Sequence, residues 1–187
     1  GCSRDDVAIR DMAVRPGTAT VYLSVMRGSG NAAMPVLVRI AGGVLSELAL
    51  DRLPFASTPI EDAPSADDAR VEVRLVSGSE GEEMTMRDGT TIRLARDPLR
   101  SVTVTDMAYI DGVLLVAGAS NEEFSSALRR IPFPFTGTAS SSSLEIFHVS
   151  HGKYETASPI RTFVPYGENG SVLASYTCTP IVQFSLA

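Results

Sequence analysis

The sequence predicts an all-β fold of consecutive antiparallel four-stranded units, about two and a half of them, with one short helix and a β-hairpin insertion. Three observations predict it. Residues 7–50 hold four short runs rich in Val, Ile and Leu, each bounded by Gly, Pro or polar residues. The stretch 102–118, VTVTDMAYIDGVLLVAG, reads as two strands joined at Asp111-Gly112, a tight-turn dipeptide. That pattern is echoed by DMAV, Pro16-Gly17 and TVYLSV near the start, and by TFVPYGENGSVLASY near the end. Four strands within 7–50 match the blade of a β-propeller in size and order.

The first unit, 7–50, places its strands at 7–14, 20–26, 35–41 and 44–50, with Gly42-Gly43 between the last two. The segment 26–35 is too long for a simple hairpin and carries Gly28, Gly30 and Asn31, so it reads as a loop. An acidic loop and hairpin insertion follows over 51–100. Three prolines and five acids within 51–69, without apolar periodicity, predict the loop. VEVRLV at 71–76 alternates as a strand, and MTMRDGTTIRL folds back around Asp88-Gly89. A two-residue loop there would mix the faces. An odd-numbered loop puts Met84, Met86, Ile92 and Leu94 on one side, and that is the expected register. Because 51–97 carries 11 of the 22 acidic residues, the insertion reads as a solvated excursion.

The second unit, 101–157, contains the Asp111-Gly112 hairpin. A two-residue turn pairs Ile110 with Val113 and Ala108 with Leu115 on one face, and Tyr109 with Leu114 and Met107 with Val116 on the other. Both faces are apolar, so cover on both sides is expected. Ser120 followed by Glu123 makes a capping-box pattern, Arg129 and Arg130 suit a helix C-terminus and Pro132 stops it, which predicts the short helix. TGTASSSS then reads as a linker, LEIFHV as a strand and His151-Gly152 as a turn, with the fourth strand at 154–157. The third unit, 159–187, supplies three strands in PIRTFVPY, SVLASYTC and PIVQFSL, one short of a blade. Asn169-Gly170-Ser171 matches a glycosylation acceptor, but its position between strands favours a hairpin turn.

Composition narrows the function classes. A 187-residue chain with 44% apolar residues can bury a real core. The formal charge of −6 argues against general affinity for nucleic acid or anionic membranes. Lys153 is the single lysine beside fifteen arginines, which a GC-rich genome explains. No apolar run is long enough to span a bilayer. The start at GCSRDD suggests a targeting segment removed before Gly1. Cys2 and Cys178 are the two cysteines; they could pair or stay separate, and they match no zinc-ribbon, CxxC or haem-attachment spacing.

The most distinctive strings are SNEEF at 120–124, RRIPFPF at 129–135, HGKYET at 151–156, PIRTFVPY at 159–166 and YTCTP at 176–180. On these the chain, from Asp106 onward, resembles bacterial exported β-propeller-like proteins of undefined function, with a YVTN/WD40-like repeat architecture. The resemblance implies a propeller fold and a periplasmic or extracellular location, and it carries no catalytic signature. Members of that group look longer, and the hairpin insertion at 71–96 is unusual among them. A ring takes four to eight blades, so this chain is expected to be a partial propeller. An open arc exposes an apolar sheet at each end, so association with another protein chain or a second copy is expected. Two copies about a two-fold axis would give roughly a six-bladed ring.

Candidate chemistry is sparse. His148 and His151, with Glu145 and Glu155 nearby and Cys178 further on, are the candidate ligands for a transition metal. Residues three apart on a strand point to opposite faces, so both imidazoles reach one ion only if His151 lies in the turn. The bland alternative makes His148 a hydrogen-bonded blade residue and His151 a turn residue. No G-x-S-x-G elbow or glycine-rich phosphate loop occurs, and no pair of carboxylates can be assigned to one cleft. Tyr166, Tyr176, Phe163 and Phe184 read as blade core. The resulting expectation is a non-enzymatic β-propeller interaction module that completes a ring with itself or another chain. The alternatives are a periplasmic metal- or cofactor-binding protein using His148 and His151, and a hydrolase with its site on a loop face.

Overall fold

The computed structural model describes residues 6–149, 152–167, 170–177, 179 and 181–186. The chain divides into two compact units, Gly1–Phe55 and Ala56–Ala187. It is all-β, built from several small antiparallel sheets, and among the described residues none closes into a barrel.

The first unit is one antiparallel meander: β1 (Val7–Val14), β2 (Val21–Arg27), β3 (Met34–Ala41) and β4 (Val44–Leu48), in sheet order β1-β2-β3-β4. Gly42 and Gly43 both take positive φ, the conformation a two-residue hairpin turn requires, and Ala41 pairs with Val44 across it. The apolar residues of β1 fall at 7, 9, 12 and 14, so their parity changes midway. A β-bulge between Ile9 and Asp11 absorbs the change. Val7, Ile9, Met12 and Val14 therefore share a face, opposite Arg27, Val25, Leu23 and Val21. The same face continues through Met34, Val36, Val38 and Ile40 to Leu45. Val25, at 8% exposure, is the buried apolar residue of this unit among those described.

The second unit holds the core. β5 (Val71–Val76), β6 (Glu82–Thr85) and β7 (Thr91–Pro98) form a three-stranded sheet with β7 in the middle. Thr85 pairs with Thr91, and Met86 N–H donates to Thr90 O at 2.7 Å, leaving a three-residue loop with Gly89 at positive φ. The loop is odd-numbered, and Met84 stands opposite Ile92 as the parity argument required. β8 (Asp106–Ile110), β9 (Val113–Ala119), β10 (Ser126–Pro132) and β11 (Ser140–Ser143) make a second four-stranded meander. A two-stranded piece, β12 (Phe147–His148) with β13 (Lys153–Tyr154), precedes the three-stranded meander β14 (Thr162–Tyr166), β15 (Ser171–Ser175) and β16 (Val182–Ser185).

The main core lies between the β8–β11 and β14–β16 sheets, where Leu115, Ala117 and Leu128 pack with Ile160, Phe163, Val172, Ala174 and Tyr176. Asp106 ties the two sheets together, accepting from Thr162 Oγ1 at 2.6 Å and Phe163 N at 2.9 Å. Of the four aromatics read as core, Phe163 and Tyr176 are buried and Phe184 packs against them, whereas Tyr166 is exposed. No helix is long and apolar enough to cross a membrane among the described residues.

Several expectations are corrected. The short helix after Ser120 is absent: the chain makes a tight turn there and Ser126–Pro132 is strand β10, hydrogen-bonded between β9 and β11. Ser120 Oγ does accept a backbone N–H, from Glu122 at 3.4 Å, so the polar cap serves a turn. A helix of two turns has little stability of its own, and a central strand position paired on both edges outweighs it. The serine-rich linker contributes β11, so the second meander is completed by 140–143 and not by 154–157. LEIFHV shortens to Phe147–His148. The β8–β9 hairpin has the expected register, yet Met107 and Tyr109 are 58% and 57% exposed, so β8 is covered on one face only. The acidic loop is also more than a solvated excursion, because Pro64 is fully buried and Asp62 is held by a buried arginine.

Candidate functional site

Strand parity sorts the β5-β7-β6 sheet into two unlike faces. Glu72, Arg74, Arg93 and Asp97 share one, linked by ion pairs from Arg74 to Asp97 and Glu80 and from Arg93 to Glu83. Val71, Val73, Leu75, Met84, Ile92 and Leu94 share the other, with Glu82 and Arg96 at positions outside the cleft. This apolar face borders a cleft of about 500 Å³, whose remaining lining is Met86, His148, Glu155, Ala157, Ser158 and Thr177. Its size falls in the range of small-molecule sites, and its lining is mostly aliphatic with a few polar groups.

His148 reaches the cleft from β12. Lys153 stands opposite it across the short ladder, and the His148 carbonyl accepts from Gly152 N at 2.8 Å, which closes the hairpin. The His148 side chain is 1% exposed, and its Nδ1 lies 4.0 Å from Glu155 Oε1. The other Glu155 oxygen is 3.5 Å from Lys153 Nζ. Glu145 is exposed while its neighbours Leu144 and Ile146 pack on the core, so it does not join this group. His151 and Cys178 lie outside the described residues. Among the described residues no group of three or more His, Cys, Asp or Glu is placed to hold a metal. Glu155 and His148 are thus the pair from the sequence reading that the fold brings to one cleft.

Two further polar clusters were not legible beforehand. Arg129, fully buried on β10, donates from Nε to Asp62 Oδ1 at 2.7 Å, from Nη1 to Thr103 O at 2.9 Å and from Nη2 to Ala119 O at 2.6 Å. Ser141 Oγ donates to the other Asp62 oxygen at 2.7 Å. Burial works upward on the Asp62 carboxyl, but the bonds from Arg129 and Ser141 outweigh it and hold the pKa below its ordinary 3.8. The cluster pins the 56–70 loop over the outer face of the β8–β11 sheet.

Glu72, 1% exposed, accepts from Arg161 Nη1 at 2.7 Å through Oε2, while its Oε1 is buried without a hydrogen-bond partner among the described residues. Burial is the largest influence and pushes this carboxyl above its ordinary 4.5, with the Arg161 charge opposing it. A raised folded-state pKa favours the folded protein at acid pH, and that contribution is lost as pH rises through the folded value. Glu72→Gln should therefore gain stability relative to the parent as pH is raised from about 4 to 8. Melting temperatures of the two proteins across that range check this; a difference that shrinks or stays flat toward pH 8 contradicts it.

Comparison with protein-family models, with curated proteins and with solved structures gives no match for this chain.

Proposed function

We propose that the protein is a non-enzymatic interaction module of the β-propeller type, which completes its architecture by associating with a second copy of itself. The observation that carries this is the β1–β4 sheet. It is a blade-sized meander whose apolar face leaves Val7, Ile9, Met12, Val14, Met34 and Leu45 exposed. Soluble monomers rarely keep so continuous an apolar face, and burying one such side chain contributes about 1.5–3 kcal/mol. The face-to-face packing of the β8–β11 and β14–β16 sheets offers the template for how such a face is covered. The resemblance to exported propeller-like chains supports a periplasmic or extracellular setting.

Sedimentation velocity at micromolar concentration should give a dimer, and Ile9→Lys combined with Leu45→Lys should convert it to a folded monomer. Both side chains lie on the exposed apolar face, so the substitutions leave the second unit's core intact. A parent protein that stays monomeric and cooperatively folded at those concentrations refutes self-association.

A further inference from the structure

We propose that the cleft between the apolar face of the β5-β7-β6 sheet and His148 binds a single-chain aliphatic amphiphile with an uncharged hydrogen-bonding head. The inference is independent of self-association, since it concerns a cleft within the second unit.

The shape and lining set the body of the ligand. Seven of the lining residues are Val, Leu, Ile or Met on strands or the loop between them, and among the described residues no Phe, Tyr or Trp joins the lining. Such a surface offers no large aromatic face beyond the His148 imidazole, and its aliphatic majority suits a flexible chain that gains from methylene burial. Met84 and Met86 add unbranched, adaptable side chains that re-pack around chains of different curvature. The opposite face of the same sheet is a charged ladder, and on this face Glu82 and Arg96 lie outside the lining, so the apolar residues are gathered at the cleft.

Charge sets the head. The polar lining is His148, Glu155, Ser158 and Thr177. The single carboxylate among them has its charge matched by Lys153. A charged head would bring an uncompensated charge to a largely apolar site, which is costly. A hydroxyl can both donate to the Glu155 carboxylate and accept from a hydroxyl of Ser158 or Thr177, and leaves the balance unchanged. Fatty alcohols and monoacylglycerols share that chemistry.

Decan-1-ol is the probe, with octan-1-ol, decanoate and decylammonium for comparison, and isothermal titration calorimetry as the readout. Decan-1-ol should bind the full chain saturably with one site per protein, at least tenfold more tightly than either charged analogue. Octan-1-ol, two methylenes shorter, should bind about tenfold more weakly. Met84→Lys, on an exposed edge strand, should abolish decan-1-ol binding while leaving the melting temperature of the free protein unchanged. Glu155→Gln should reduce the preference for the alcohol over decanoate. Non-saturable uptake, equal or tighter binding of a charged analogue, or unaltered binding in Met84→Lys would each overturn the proposal. Titration with a decapeptide of alternating Val and Thr distinguishes the rival occupant, since peptide binding with no alcohol binding would assign the face to an extended polypeptide.

Discussion

Replacing Arg129 with methionine is expected to lower the unfolding free energy of the second unit by about 2–4 kcal/mol, because loss of the buried guanidinium leaves a partly buried carboxylate and two carbonyls without their donor. Methionine fills much of the volume, so the loss is polar rather than a cavity effect. Three acceptors lose their donor at once: Asp62 Oδ1 and the carbonyls of Thr103 and Ala119. Asp62 is partly exposed and can recover some hydration, whereas Ala119 is fully buried. Asp62→Asn should cost less, about 1–2 kcal/mol, because the amide oxygen still accepts from Nε. The double variant should not return to parent stability, since the two carbonyls remain orphaned whatever occupies position 62. Urea unfolding of the three variants measures each difference; an Arg129→Met loss under about 1 kcal/mol would deny the cluster its structural role.

The same cluster sets an acid limb. The depressed Asp62 carboxyl contributes stability that is present above its ordinary pKa of 3.8 and lost as pH falls through the lower folded value. Glu72 acts in the opposite sense, so the two carboxyls favour different ends of the pH scale. Arg129→Met should flatten the acid limb and leave the Glu72 contribution as it was.

Local pattern made part of this fold readable. β1 to β4 could be placed because each apolar run is short and punctuated by Pro16-Gly17, the 28–31 loop or Gly42-Gly43. The shared face of Met84, Ile92 and Leu94 followed from parity alone. β10 and β11 escaped because SALRRIP carries good helix formers behind a capping pattern and SSSS has none of the β-branched bulk of a strand. Their conformation is decided by neighbours on both edges, which no local window contains. His148 and Glu155 were legible as chemistry-bearing residues, but their cleft joins side chains between Val71 and Leu94 to His148, Glu155, Ala157, Ser158 and Thr177. Arg129 and Asp62 are separated by 67 positions, and charge counting alone assigns Asp62 to solvent. Long-range partners of this kind are where composition misleads most.

Gly118→Ala is expected to be comparably damaging, at about 3–5 kcal/mol, for a reason that lies on the other side of the same cluster. Gly118 pairs with Ala127, one position in from the Ala119–Ser126 end of the β9–β10 ladder. A Cβ added there would land on the Thr103 carbonyl oxygen, 2.5 Å from its carbon and 3.0 Å from Val102 O. These are backbone atoms, so no side-chain rotation relieves the clash. The 102–105 segment must move away, and it is held by Thr105 N donating to Ala117 O at 3.0 Å and by Arg129 Nη1 on Thr103 O. Gly112, by contrast, sits at positive φ with open space around its hydrogen position, so Gly112→Ala carries only the cost of the left-handed backbone, about 1–2 kcal/mol. Because Gly118→Ala and Arg129→Met both sever the Thr103 carbonyl from its guanidinium, their losses should not add. The combined variant is expected to fall short of the sum by about 1–2 kcal/mol. Strict additivity in that cycle would mean that the glycine and the arginine act on separate parts of the sheet, and that the close approach at Gly118 serves something other than seating Thr103 against Arg129.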